Sequence, residues 1–209
     1  MKLASSSFDD GAPIPAQYAF CAQDPKSRVT LAQNQNPHLA WSEVPPGVKS
    51  FAILCHDPDV PSRAEDVNKE GRTVAASLAR VDFFHWVLVD LPSSAVGVNV
   101  GEFSSSVVAR GKPGPRAPHG ARQGVNGYTE WFANDHDMSG DYYGYDGPCP
   151  PWNDEMPHRY VFTVFALDVE RLPLEGRFDG RQVRQAVEGH VLAQASITGR
   201  YTLNPDVKL

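Results

Sequence analysis

The sequence predicts an all-β sandwich with one or two short helices near its C-terminus. Three runs of strand length, residues 49–55 (KSFAILC), 83–89 (FFHWVLV) and 160–167 (YVFTVFAL), are apolar and rich in aromatic and β-branched residues. Proline and glycine punctuate the intervals between them. Only one segment repeats apolar residues at helical spacing, and no strand–helix–strand alternation occurs, so packed sheets are expected rather than a parallel α/β core. The 209 residues, 41% hydrophobic and 21% charged, suffice for a full core, and a single domain over residues 1–209 is expected.

The elements follow in order. Residues 1–20 are polar and then punctuated by proline and glycine; Ile14, Pro15 and Tyr18 suggest an arm lying along a sheet. Residues 29–32 read as a short edge strand, and Val44-Pro45-Pro46-Gly47 as a turn. The run 49–55 leads into His56-Asp57-Pro58-Asp59-Val60-Pro61, where two prolines are expected to end the strand. Residues 62–81 are polar with both signs of charge and read as a surface insertion, with at most a short helix over 72–78. The run 83–89 closes at Asp90-Leu91-Pro92, and 103–109 read as a weaker fourth strand. Residues 111–146, rich in Gly, Pro, Asn and His, are too long for an idle connector and are expected to serve function. Asp179 is placed to cap a helix carrying Val183, Ala186, Val187 and Val191, weakened by Gly189. Residues 195–203 read as a last strand.

Composition excludes several classes. The formal net charge of −6 argues against broad nucleic-acid binding, which needs a basic face. No run of 18 apolar residues exists, so no membrane span is expected. The opening MKLASSSFDDGAP has one lysine and no apolar stretch, unlike a secretory signal. Cys21, Cys55 and Cys149 are odd in number, far apart and without a C-x-x-C, so three free thiols in a reducing cytoplasm are expected.

The chemistry gathers around residues 144–167. Gly147, Pro148, Cys149, Pro150 and Pro151 make a stiff loop poured into the 160–167 strand, and at the junction His158 and Tyr160 share one pleat face. Asp57 and Asp59 stand at the end of the first strand; His85 lies inside the second, on the face of Val87 and Val89 by simple alternation. Singly, each is more often structural: a turn-forming Asp, a satisfied core His, a core Tyr. Together they fit two chemistries. Imidazole, phenol and loop N–H groups can bind an anion. His85, His158 and Asp57 could instead hold a metal, but the spacings H-x-D and H-E-x-x-H are absent, so anion binding is preferred and no cofactor is expected. Cys149 with His158 could form a nucleophile and base, though nothing nearby in sequence orients the histidine. Beside Asp57 an anion needs a cation, so protonated His85 and His158 are expected to supply it, with Asp57 orienting one ring and leaving its other nitrogen to the ligand.

Asp57-Pro58-Asp59-Val60-Pro61 resembles the D-P-D-x-P motif of the phosphatidylethanolamine-binding protein family, also called the Raf kinase inhibitor family. Gly147–Pro151 and His158-Arg159-Tyr160 resemble its G-P-x-P-P and H-R-Y motifs, and Pro37–Trp41 its P-x-L-x-W. His85-Trp86 falls where the family has a strand histidine; Gly144-Tyr145 and Ala195–Gly199 look most like the bacterial and archaeal branch. The likeness runs from about Phe8 to Leu203. It implies a two-sheet antiparallel Greek-key sandwich with a small anion pocket lined by Asp57, His85, His158, Tyr160 and the loop Gly147, Pro148, Cys149, Pro150. It implies non-catalytic binding of a phosphorylated small molecule or phosphoryl side chain, modulation of a protein partner such as a kinase, and a homodimer. The rival expectation is a metal- or cysteine-dependent hydrolase using the same cleft; a third is an interaction protein whose pocket is vestigial. Residues 62–81 and 111–146 depart from the family pattern and flank the pocket strands. No helix is evident after Thr202.

Overall fold

Ten strands arise where the apolar runs and their partners lie, in a computed structural model that describes residues 1–209. They are β1 (Lys2–Ala4), β2 (Cys21–Asp24), β3 (Arg28–Leu31), β4 (Leu39–Ser42), β5 (Ser50–Pro61), β6 (Arg80–Pro92), β7 (Gly97–Val98), β8 (Arg122–Gln123), β9 (His158–Leu167) and β10 (Val191–Tyr201). The antiparallel order β10-β9-β5-β6-β8 forms the main sheet, β1-β4-β7 a second, and β2-β3 a separate hairpin.

The three long strands are apolar on both pleat faces because the main sheet is covered on both. On one face Phe51, Ile53, Trp86, Leu88, Phe162 and Val164 pack with Leu39, Trp41 and Val98 of the second sheet. On the other, Ala52, Leu54, Phe84, Val87 and Val89 pack beneath Phe178 and Val183. Val183 belongs to helix α2 (Gly180–Ala186), which follows a four-residue helix α1 (Tyr128–Trp131). Asp179 caps α2 as expected, its carboxylate accepting the Gln182 amide while Gln182 returns a bond to the Asp179 N–H. Gly189, at φ +80°, breaks the period, so Val191 opens β10 instead of extending the helix. The N-terminal arm lies along β10 as expected, Ile14 N–H donating to Arg200 O at 2.8 Å.

Two expectations are corrected. Pro58 does not end β5, which runs on to Pro61 and stops there. Asp57 pairs with Phe83 and Val60 with Val81, so β5 carries one extra residue between them, and Pro58, with no N–H to give, sits in that bulge. Residues 103–109 form no strand; Ser105 makes a single bridge to Gln35. Residues 72–78 form no helix, and Val74 bridges Asp154. The 111–146 segment holds β8 and α1. No helix is long and apolar enough to cross a membrane.

Candidate functional site

A second bulge builds the site. Cys55 pairs with Trp86 and His56 with Phe84, which leaves His85 without a partner on β5. The extra residue reverses the alternation. His85 therefore leaves the face of Val87 and Val89, where simple alternation puts it, and joins Phe83 and Tyr160 on the opposite side. Its ring lies 5.0 Å from the Tyr160 ring and edge-on to Tyr128 at 5.7 Å. His85 Nδ1–H donates to the Asp146 carbonyl at 2.7 Å, and the Asp146 N–H returns a bond to His85 O at 2.9 Å. A carbonyl only accepts, so the proton is on Nδ1 and Nε2 keeps its lone pair. Burial holds this ring neutral, down to about 4, against the Asp57 charge and the Asp146 carbonyl, which favour protonation.

His158 has the opposite fate. It opens β9, on the same face as Tyr160 as period two requires. Nδ1–H donates to Asp57 Oδ2 at 2.6 Å and Nε2–H to Asp154 Oδ2 at 3.1 Å. Burial opposes charge on this ring too, but Asp57 and Asp154 outweigh it and raise the imidazole to about 9. Asp154 is gripped in turn by Arg80, Nη1 at 2.5 Å and Nη2 at 3.0 Å. Asp57 Oδ1 accepts the Asp59 N–H at 2.7 Å, and Asp59 pairs with Arg159 through Nε at 2.8 Å and Nη2 at 2.7 Å. The ring that Asp57 orients is His158, and the expectation that its other nitrogen stays free for a ligand is overturned: both are spent on carboxylates.

Asp57, His85 and His158 floor a cavity of about 320 Å³, with Asp154, Arg80, Asp59 and Arg159 outside its lining. Asp57, His85, His158 and Tyr160 converge there with Cys149 and Pro150, as expected. Its walls are apolar: Phe20, Leu31, Phe83, Trp131, Phe132 and Met138. Leu31 and Trp131 are 60% and 48% exposed at the rim. The Tyr160 hydroxyl is buried without a partner.

Gly147 and Pro148 do not line the cavity; they anchor its loop. Gly147 N–H donates to Asn34 Oδ1 at 2.8 Å, Pro148 O accepts from Phe20 and Cys21, and a Cβ on Gly147 would sit 2.1 Å from Tyr18 O. The expected nest of loop N–H groups shrinks accordingly. Prolines 148, 150 and 151 have none, Gly147's is taken, and Cys149's alone lacks a partner. Behind the loop the buried Asp146 carboxylate accepts from Asn34 Nδ2 at 2.7 Å, Asn126 Nδ2 at 2.8 Å and Lys112 Nζ at 2.6 Å.

The cysteines differ from expectation. Cys21 and Cys149 form a disulfide across 128 residues, and Cys55 alone is free. The bond ties the β2–β3 hairpin to the cavity loop. It removes the free-thiol argument for a reducing compartment, and it takes Cys149 out of service as a nucleophile. His85, His158 and Asp57 are not arranged as three ligands around a metal, because both ring nitrogens of His158 are held by carboxylates.

Asp154 and Asp146 escaped the sequence reading. Asp154 had a faint signal, standing four residues before His158 beside the Pro-rich loop. Tyr128 and Trp131 lie in the 111–146 segment, where no local pattern singles them out.

The fold and site define a β-sandwich with a preformed cavity, largely apolar in its walls, with Asn68 at an exposed edge and the charged groups at its floor. The family model described as phosphatidylethanolamine-binding protein matches residues 4–202, and the chain belongs to that family. It is 33% identical over 202 residues to the UPF0098 protein YbhB of Escherichia coli strain K12, covering 97% of this chain and 100% of that one. It is 32% identical over 201 residues to a UPF0098 protein of Methanothermobacter thermautotrophicus, covering 96% and 98%. The crystal structure of E. coli YbcL, described as a new member of the mammalian family, superposes with a TM-score of 0.66 at 27% identity, covering 96% and 97% of the two chains. A putative phosphatidylethanolamine-binding protein homolog of Chlamydia trachomatis gives 0.63 at 26%, covering 96% and 95%.

Proposed function

We propose that this chain binds, without catalysis, a phosphoryl group carried on a small apolar body. The observation that carries this reading is the Tyr160 hydroxyl, buried without a partner in a cavity that Asp57, His85 and His158 also line. A buried donor left unpaired costs about 1–3 kcal/mol, so its retention points to a ligand that completes it. The apolar walls accept the body of an amphiphile. The lining contains no serine, threonine, lysine or free thiol to act as a nucleophile, which supports binding over hydrolysis. A phosphoryl side chain on a protein would meet the same floor, and modulation of a kinase or other partner would act through it. The homodimer rests on the resemblance alone, and sedimentation equilibrium checks it.

Calorimetry at pH 5.5 with hexyl phosphate, inorganic phosphate and hexanol tests the reading. Hexyl phosphate is expected to bind more tightly than either fragment. Absence of binding by any phosphoryl compound at millimolar concentration would overturn it.

A further inference from the structure

The cavity floor is short of positive charge. Among its lining residues are no lysine and no arginine. The single cation, His158, gives both N–H groups to Asp57 and Asp154. Facing His85 are the Asp57 carboxylate from β5, His158 and the Tyr160 hydroxyl from β9, and Tyr128 from α1. On its far side stands the Asp146 carbonyl, whose own carboxylate is turned to Asn34, Asn126 and Lys112. The bulge and the Asp146 carbonyl fix the ring so that Nε2, unpartnered in the chain, is an acceptor. Asp57 is an acceptor as well. A fully ionised phosphoryl group offers only acceptors and a double negative charge, and would meet two acceptors, one of them the Asp57 carboxylate. A singly protonated one carries the missing donor.

We infer that the cavity selects a phosphate monoester in its protonated, monoanionic form, the P–OH donating to the His85–Asp57 side of the floor while Tyr160 donates to an unprotonated oxygen. This rests on the phosphoryl-binding reading above and specifies the ionisation state that the site takes. Dianions, sulfate esters and phosphodiesters lack the proton and are discriminated against. The selecting group is neutral throughout the relevant range, so the pH dependence belongs to the ligand. His85 stays uncharged above about 4 and His158 stays charged up to about 9.

The test uses the intact protein and three probes of one apolar body: hexyl phosphate, hexyl sulfate and methyl hexyl phosphate, titrated by calorimetry from pH 5 to 8. With a second phosphate ionisation near ~6, the monoanion fraction falls and the apparent Kd of hexyl phosphate rises by roughly 100-fold across this range. Binding at pH 7.5 takes up about one proton, read from the dependence of the heat on the buffer's ionisation enthalpy. Hexyl sulfate and methyl hexyl phosphate bind at least tenfold more weakly than hexyl phosphate at pH 5, with no such slope. His85→Gln, whose amide can donate as well as accept, narrows the preference for phosphate over sulfate; the wild-type series stands without it if that variant does not fold. Hexyl phosphate binding that is flat or tightens toward pH 8, or hexyl sulfate binding equally well at pH 5, overturns the inference while leaving the phosphoryl-binding reading intact. A common slope for all three probes assigns the proton to the protein and overturns it too. No binding by any probe overturns the underlying reading instead.

Discussion

His158 donates Nδ1–H to Asp57 Oδ2 across 2.6 Å, and both residues are 1% exposed. With Asp154 on the other ring nitrogen, the imidazole is a charge set between two carboxylates. Its pKa is raised to about 9, above the unfolded value near ~6.5, so its stabilisation is fully present below ~6.5 and is lost as pH rises through about 9. The wild type is expected to lose on the order of 3 kcal/mol between pH 6.5 and 9 from this group. Urea unfolding at both pH values checks it. His158→Gln, less stable at pH 6.5, should lack this decline; an equal decline in the variant would assign it elsewhere.

The Cys21–Cys149 bond fastens a hairpin that pairs with no other strand. Two-stranded hairpins are marginal alone. Denatured, unreduced protein should therefore titrate one thiol, that of Cys55. The Cys21→Ser, Cys149→Ser double variant should lose about 2–4 kcal/mol of stability. Amide exchange over residues 22–31 should rise in that variant well beyond the increase over β5 and β9. Three thiols in the wild type, or unchanged exchange in the hairpin, would contradict this account.

The sequence was most legible where a local rule suffices. Both-face apolarity in 160–167 and the period-two placement of His158 and Tyr160 follow from the pleat, and the Asp179 cap from a side chain's reach to its own helix. What it hid depends on register. The bulge that turns His85 toward Tyr160 exists because β5 and β6 pair one residue out of step, which no local pattern in FFHWVLV announces. Pro58 misled for the same reason, since a bulge removes the ladder bond that proline cannot make. The disulfide was hidden because its cysteines meet only after the arm has folded back on the cavity loop. The imidazolium account failed at Asp154, which takes the second nitrogen of a ring expected to have one free.

Lys112 and Asp146 form a second buried pair, at 2.6 Å, behind the loop that holds His85. Burial raises the Asp146 carboxyl, and Lys112 is the largest influence opposing it. Lys112→Met leaves the carboxylate with two amide donors and no cation, an expected loss of about 3–5 kcal/mol at pH 7. The variant pushes the folded pKa of Asp146 further above its unfolded value, so the penalty should shrink as pH falls and the carboxyl takes a proton. Lys112→Met combined with Asp146→Asn should recover most of the loss at pH 7. Unfolding midpoints at pH 5 and pH 7 decide this; a penalty independent of pH would point to lost packing of the lysine stem.

Tyr160 sets stability against binding at one atom. Its hydroxyl is buried, lacks a partner, and sits over the floor formed by Asp57 and His85. Burial, then the nearby Asp57 charge, pushes the phenol well above its ordinary range, so it remains a neutral donor across the physiological range. In the ligand-free protein that donor is a net penalty. Tyr160→Phe removes the penalty while the ring keeps its packing against His85. The variant should therefore be more stable than the wild type by about 1–3 kcal/mol without ligand, an unusual sign for a core substitution. It should also bind hexyl phosphate more weakly at pH 5.5, by roughly tenfold for one lost hydrogen bond to a charged oxygen. Denaturant unfolding with and without the probe measures both. A stability loss would mean that the hydroxyl already has a partner in the free protein, and unchanged affinity would remove Tyr160 from the site.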